Sequence, residues 1–491
     1  MNFTSAKINS WYWFLVCFII FLGVIIRIAF IDTNHVVGDE LYTFIESQGF
    51  DENEIPDSLN LRYFSQHKTT VTNVVKSTFY YDNSNGIVYS TLLHYWCRMF
   101  PNDIFYVRLL SVLFGFLSMI FLVKTLDTFF SHKPIVLFGL LLLCFNPLVI
   151  SFDTSIRMYS LLLLLSICTN YLFAQICIYN RSKYWVLYVL TMFLMIYTHY
   201  LSVFLIGFHF LILFYIHFKM EKSRAFNPIF VSFVLIGMFF AYWYLFVANK
   251  AFQNMQLTND FIVNALNKGV YPADKTSISV ILQGVVKIIV RFTGLGIKST
   301  FFVIVTATVN LFLVLTFFMY AETKWRLYLV LVLALHFFVL SAQAFSVGHN
   351  LSFLSRYSLL VYPVYILLIL FAMNEWWVKG KKIVVSIIAG YFIFISLFSV
   401  KNDYQQAQSK DEYLNYTQLA NWVGKTYEKD DLLLVPQKTE MYMIYYFVPR
   451  MQQDIFCKID ASKTTYSIRK KDGISVSFSA FDNSINADDK Q

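Results

Sequence analysis

Apolar residues fill the first four fifths of the chain in blocks separated by short polar stretches, with none of the strict alternation of a barrel strand. Roughly 20 apolar residues in a helix cross a hydrocarbon core of about 30 Å, since each residue rises about 1.5 Å. The pattern predicts spans at 11–31, 105–130, 134–152, 156–179, 184–197, 201–218, 228–246, 300–320, 327–345, 354–373 and 383–399. Hydropathy therefore predicts about eleven helices. Blocks 184–197 and 201–218 form one apolar stretch broken by Thr198, His199 and Tyr200, which reads as a turn. The expected class is an all-α polytopic membrane protein.

Three segments outside the blocks are long enough to carry function: 32–102, 248–299 and 401–491. The expected partition is a membrane domain over 1–400, containing the first two segments as loops, and an extension over 401–491. In that tail, DLLLVP (431–436) and MYMIYYFV (441–448) read as a small α/β extension. In the second loop, Ile278, Ile281, Leu282, Val285, Ile289 and Phe292 share one helical face, opposite Lys287, Arg291 and Lys298. That helix is expected to lie in the membrane interface, its cations near phosphates.

Composition excludes a soluble globule: 57% of residues are hydrophobic, 19% aromatic and only 14% charged. The net charge of +9 sits largely in the loops that would be cytoplasmic if the N-terminus were inside, among them Lys124, Lys133, Arg181, Lys183, Lys324 and Lys382. The charge is thus an orientation signal, not a nucleic-acid surface. An odd number of spans then places Asp39, Glu40 and the tail on the outer side of the cytoplasmic membrane. The first block is expected to stay as a signal anchor. Of six cysteines, Cys17, Cys144, Cys168 and Cys177 fall within apolar blocks, so neither a disulfide framework nor a metal pair is visible.

Candidate chemistry gathers at the outer ends of the spans. In HVVGDELYTF (35–44), Asp39 and Glu40 follow the first span within a few residues. Such a pair reads as a solvated helix start, Asp39 serving as a cap, or as a catalytic pair. Arg108, Arg157 and Arg356 each stand at an outer span entrance. Singly, each arginine reads as snorkelling to the interface; together they suggest a phosphate site, because guanidinium binds phosphate bidentately and keeps its charge. DNSNGIVYSTLLHYW (82–96) is a polar turn running into a short helix, with Asp82 and Asn85 suited either to sugar hydroxyls or to the turn itself. His199 reads as a satisfied interior histidine or a site residue. No nucleotide loop, zinc-hydrolase motif or nucleophile elbow occurs.

These motifs together resemble the GT-C glycosyltransferases, especially the bacterial relatives of protein O-mannosyltransferases and lipid A aminoarabinose transferases. The resemblance rests on Asp39 and Glu40; on Asn85, Gly86, Ile87, Val88, Tyr89 and Trp96; on Arg108 and Ser111; on Arg157, Met158 and Tyr159; and on THYLSVFL (198–205) and RYSLLVYP (356–363). It covers about residues 1–400. The chain departs from the family where a His-Pro-Pro becomes Asn85, Gly86 and Ile87, and where an acid two before the Arg of Arg-Met-Tyr becomes Ser155.

The resemblance implies a GT-C bundle with outer-side juxtamembrane helices and inverting transfer of a sugar from a polyprenyl phosphate to an acceptor. The acceptor would be a protein, lipid A, a glycolipid or a wall polymer. Asp39 would be the general base and Glu40 its orienting partner, while Arg157 and Arg356, helped by Arg108 or Lys298, would stabilise the departing lipid phosphate. Asp82, Asn85, Tyr89, Tyr159 and His199 would contact substrate. No cofactor is demanded, and a divalent metal is compatible with the scheme. The alternative is a transporter or flippase of lipid-linked sugars, for which intramembrane charges along a path and repeat symmetry are expected, and neither is read from the sequence.

Overall fold

The computed structural model describes residues 10–31, 38–50, 55–66, 70–81, 85–101, 103–177, 182–220, 226–243, 245, 276–296, 299–320, 323–409, 416–436, 441, 444–445, 454–460, 466–479 and 482–488. The chain divides into two compact units. One, the membrane unit, comprises Met1–Phe30, Ser111–Thr154 and Met158–Tyr404; the other, a mixed α/β unit, comprises Ile31–Leu110, Ser155–Arg157 and Gln405–Gln491.

Uninterrupted apolar sequence makes the long helices of a multi-pass membrane protein, because a helix satisfies its own backbone in lipid. Among the described residues seven helices are long and apolar enough to cross: Ser10–Ile31, Ile104–Phe129, Tyr159–Ile176, Thr300–Tyr320, Tyr328–Val347, Ser355–Val378 and Lys382–Gln405. The predicted spans at 11–31, 105–130 and 300–320 fall on three of these almost residue for residue. Tyr159–Ile176 and Ser355–Val378 are 94% and 83% buried, against 28% for Thr300–Tyr320 and 22% for Tyr328–Val347, so the first two form the core and the latter two face outward.

Blocks 201–218 and 228–246 also form helices, Ser202–Met220 and Phe226–Trp243, and the two remaining predicted blocks depart from single spans for physical reasons. The block at 134–152 is two helices, Lys133–Cys144 and Pro147–Asp153, bent by 56° and countable as an eighth span. Block 184–197 makes only the 14-residue helix Trp185–Thr198, shorter than the roughly 20 residues a span needs. The bend follows from FNP: Pro147 has no N–H to continue the first helix, and Asn146 starts the second by accepting from the Leu148 N–H at 2.9 Å.

Arg27, fully buried in the helix Ser10–Ile31, holds this break. It donates to Asp153 at 2.7 Å and to the carbonyls of Gly23 and Cys144 at 2.9 Å. The helix end freed by the bend thus finds its donor in a neighbouring span. A Cβ on Gly115 would run into the Asp153 carboxylate, so only glycine lets the pair close there. This pair corrects the expectation of no intramembrane charges: Arg27 and Asp153 lie 0% and 1% exposed within apolar helices. A second buried network runs from the Tyr188 hydroxyl to His209 Nδ1 (2.9 Å) and from His209 Nε2 to the Tyr328 hydroxyl (3.0 Å), which donates to Asn170.

The helix Ile278–Phe292 forms as expected, with Ser277 accepting from the Val280 N–H. Its predicted apolar face is divided, however. Ile281 and Phe292 are buried, whereas Ile278 and Leu282 are 72% and 60% exposed. The reason is close packing at Gly284, where the ring of Phe353 occupies the space of a side chain. Arg291 is half-buried and donates to Ser355 Oγ at 2.9 Å; its burial lowers its proton affinity by desolvation, and Asp403 opposes that effect.

In the mixed unit, helices Gly38–Gln48, Val71–Tyr81 and Ile87–Met99 pack together around Leu41, Phe44, Ile45, Val74 and Leu93. Gly86, at φ +81, supplies the left-handed turn into the last of these, the turn read from the polar stretch before it. Strands β1 (Ser58–Asn60), β2 (Leu432–Val435), β3 (Phe456–Ile459), β4 (Tyr466–Arg469), β5 (Ser475–Ser479) and β6 (Asp482–Asp488) form one sheet in the order β1-β3-β2-β4-β5-β6. Pairing is antiparallel except between β2 and β3. Leu433 faces Cys457 on one side and Ile468 on the other, all three fully buried. Residues of the first loop and of the tail, separate in the sequence partition, therefore share this sheet: Leu59 pairs with Cys457.

Candidate active site

The mixed unit brings four predicted residues together: Asp39, Glu40, Arg108 and Arg157. The helix Gly38–Gln48 opens with Asp39 and Glu40 in its first turn, where carboxylates are favoured by the exposed N–H groups. Neighbours on a helix point about 100° apart, so the two acids have different fates. Glu40 is buried and Asp39 half-buried.

Glu40 is held by Arg108, 1% exposed, in a two-pronged ion pair: Nη2 to Oε2 at 2.7 Å and Nε to Oε1 at 3.3 Å. The Ile156 N–H donates to Oε1 at 2.6 Å, and Arg108 Nη1 donates to the Ile31 carbonyl. Arg108 stands in the second turn of the helix that starts at Ile104, whose entry Asp103 stabilises by accepting from the Phe105 N–H at 2.9 Å. Burying a carboxylate and a guanidinium is costly unless each is paired and hydrogen-bonded, as these are. The geometry makes Glu40 and Arg108 a brace for the helix start.

Arg157 serves the same helix from a different direction. Its Nη1 donates to the Asp39 carbonyl at 3.0 Å and to Thr43 Oγ1 at 2.7 Å. Thr43 Oγ1 in turn donates to the Asp39 carbonyl at 3.2 Å. The more accessible acid of the pair, Asp39, therefore sits on a helical turn held by two arginines.

Asn85 and Tyr89 are buried in the same unit, and among the described residues Asn85 Oδ1 has no hydrogen-bond partner. His94 is buried with Nδ1 at 2.8 Å from the Ser47 carbonyl, and desolvation lowers its proton affinity. Burial pushes the Cys97 thiol up to about 12. Asp82 and Lys298 lie outside the described residues.

The membrane unit gathers the other three predicted residues. Tyr159 and His199 have ring centroids 5.9 Å apart, His199 is 5.8 Å from Tyr357, and the Arg356 guanidinium lies over the Tyr357 ring at 5.2 Å. His199 is fully buried where the chain turns between helices Trp185–Thr198 and Ser202–Met220, as the polar break implied.

Sequence reasoning missed Thr43, the Ile156 N–H and the Ile31 carbonyl. Backbone donors and acceptors carry no residue signal. Thr43 did carry one, four residues after Asp39 and hence on the same helical face.

No family model and no curated sequence matches the chain. Among solved structures, ArnT from Cupriavidus metallidurans bound to undecaprenyl phosphate is similar at a TM-score of 0.53 and 12% identity, over 91% of this chain and 87% of that one. The oligosaccharyltransferase of Archaeoglobus fulgidus, tethered with an acceptor peptide, gives a TM-score of 0.47 and 12% identity, over 91% of this chain and 60% of that one. The chain thus shares the fold of ArnT, and the resemblance carried by its motifs holds at the level of fold.

Proposed function

We propose that the protein is an inverting glycosyltransferase that takes a sugar from a polyprenyl-phosphate donor, working on the outer face of the cytoplasmic membrane. One observation supports this reading above the rest: Asp39, half-buried, on a helix start braced by the Glu40–Arg108 pair and by Arg157. The fold likeness to a protein bound to undecaprenyl phosphate supports the donor class.

In this scheme Asp39 accepts the proton of an acceptor hydroxyl as its oxygen bonds to the anomeric carbon. The bond from that carbon to the phosphate oxygen breaks on the opposite side, and its electron pair leaves with the lipid phosphate. Glu40 fixes the turn that carries Asp39, and Arg157 stabilises charge growing on the leaving phosphate. Asn85, with its buried unpartnered oxygen, is assigned to a sugar hydroxyl. The scheme calls on no cofactor.

The test is transfer of label from a panel of polyprenyl-phosphate sugars in membranes carrying the native chain or Asp39→Asn. Label moved by the native chain and lost in the variant supports the assignment; equal transfer by both removes Asp39 from the chemistry. A flippase is the second reading, and the intramembrane pair Arg27–Asp153 is the observation that favours it. Movement of lipid-linked sugar across vesicles by the Asp39→Asn protein, without transfer by either protein, would select it.

A further inference from the structure

Thr43 lies one turn after Asp39 on the helix Gly38–Gln48 and is 2% exposed. A hydroxyl has one hydrogen to give and two lone pairs to receive. Thr43 gives its hydrogen to the Asp39 carbonyl at 3.2 Å and receives Arg157 Nη1 at 2.7 Å. The same Nη1 reaches the Asp39 carbonyl at 3.0 Å, so three groups close a small ring: Asp39 backbone, Thr43 hydroxyl and Arg157 guanidinium. Branching at Cβ restricts the threonine to few rotamers, which suits a hydroxyl that must point two ways at once.

We propose that Thr43 is a positioning residue that sets the guanidinium plane of Arg157 and the turn bearing Asp39 in a single arrangement, and thereby tunes the grip on a lipid-linked phosphate. This rests on the transferase reading above. Arg157 alone has a flexible side chain and a planar head, and a planar head binds phosphate well only when its plane is fixed. The Thr43 oxygen is a fixed acceptor at that head. Valine has nearly the same shape but offers no acceptor, whereas serine keeps the hydroxyl.

The experiment measures binding of a polyprenyl phosphate, and separately transfer of label, for the full-length protein in detergent. Thr43→Val is expected to weaken phosphate binding about tenfold, the scale of one lost bond to a charged group. It is also expected to lower kcat by as much as about 100-fold, the scale of a small misplacement at a reacting centre. Thr43→Ser restores most of both. In an Arg157→Ala background Thr43→Val has no further effect on binding, which a merely structural role would not produce. If Thr43→Val fails to fold, Thr43→Ala carries the same comparison with Thr43→Ser. Unchanged binding in the Val or Ala protein, or a loss that persists undiminished without Arg157, overturns the proposal and leaves the transferase reading standing. A native chain that neither binds polyprenyl phosphate nor transfers label overturns the reading and this assignment together.

Discussion

Among the described residues two buried arginine–carboxylate pairs stand out, one in each unit, and they do different work with the same chemistry. Arg27–Asp153 and Arg108–Glu40 both close at 2.7 Å with side chains no more than 3% exposed. In the membrane unit the remaining donors of Arg27 go to carbonyls, two of them at the end of a broken helix. In the mixed unit the carboxylate itself takes an additional backbone donor, Ile156 N–H, and the residue beside it is a half-buried acid. A buried pair gains little over an apolar core of the same shape, so what distinguishes the two is what each pair keeps in place. One fixes a helix bend; the other fixes the start of a helix that presents Asp39.

The sharpest way to separate them is to remove function from one without touching the other. Asp39→Asn is expected to cut transfer by about 10²- to 10⁴-fold, the usual contribution of a positioned general base, with unchanged thermal unfolding in detergent. Arg27→Leu should do the reverse, costing about 3–5 kcal/mol of stability by leaving Asp153 buried and without its partner, with much of it recovered in Arg27→Leu/Asp153→Leu. If the double variant were no more stable than the single, the bend and not the charge would be the cause. Gly115→Ala should cost about 1–3 kcal/mol by overpacking against Asp153, with transfer per folded molecule retained. The smallest effect belongs to His94 in the mixed unit. Burial holds its folded-state proton affinity below the ordinary value of 6.5, so the unfolded chain takes up the proton first. Its contribution is complete above that pH and fades as pH falls through it, and amide protection factors in the helix Ile87–Met99 should fall more steeply toward acid in the native protein than in His94→Gln.

Hydropathy carried most of the membrane helices, because an apolar run of sufficient length has few alternatives in lipid. It failed at Asn146–Pro147, where apolar residues on both sides hide a bend made by two polar groups and a missing N–H. Arg27 was invisible for a related reason: a single charge in a long apolar block barely lowers the mean, yet it is what answers the carbonyls at that bend. The acid pair and its arginines were legible as residue types at span entrances. Their division of labour was not, since Glu40 and Arg108 are 68 positions apart and meet only through the fold. The strand β1 has three residues and no readable period, so nothing in 32–102 announced a share in the sheet of the tail.

That strand also sets a schedule for synthesis. Ser58 must pair with Lys458, and every membrane helix but the first, Ser10–Ile31, is made between the two. At about 5–20 residues per second the ribosome needs roughly 20–80 s to cover that distance, a delay during which β1 has no partner strand. The central strand β2 appears before β3, so the parallel β2–β3 pair and the β1 edge wait for the same four residues, Phe456–Ile459. Assembly of the sheet is therefore a late, long-range event, and the mixed unit is complete only when the last part of the chain has been delivered to a segment made near its beginning.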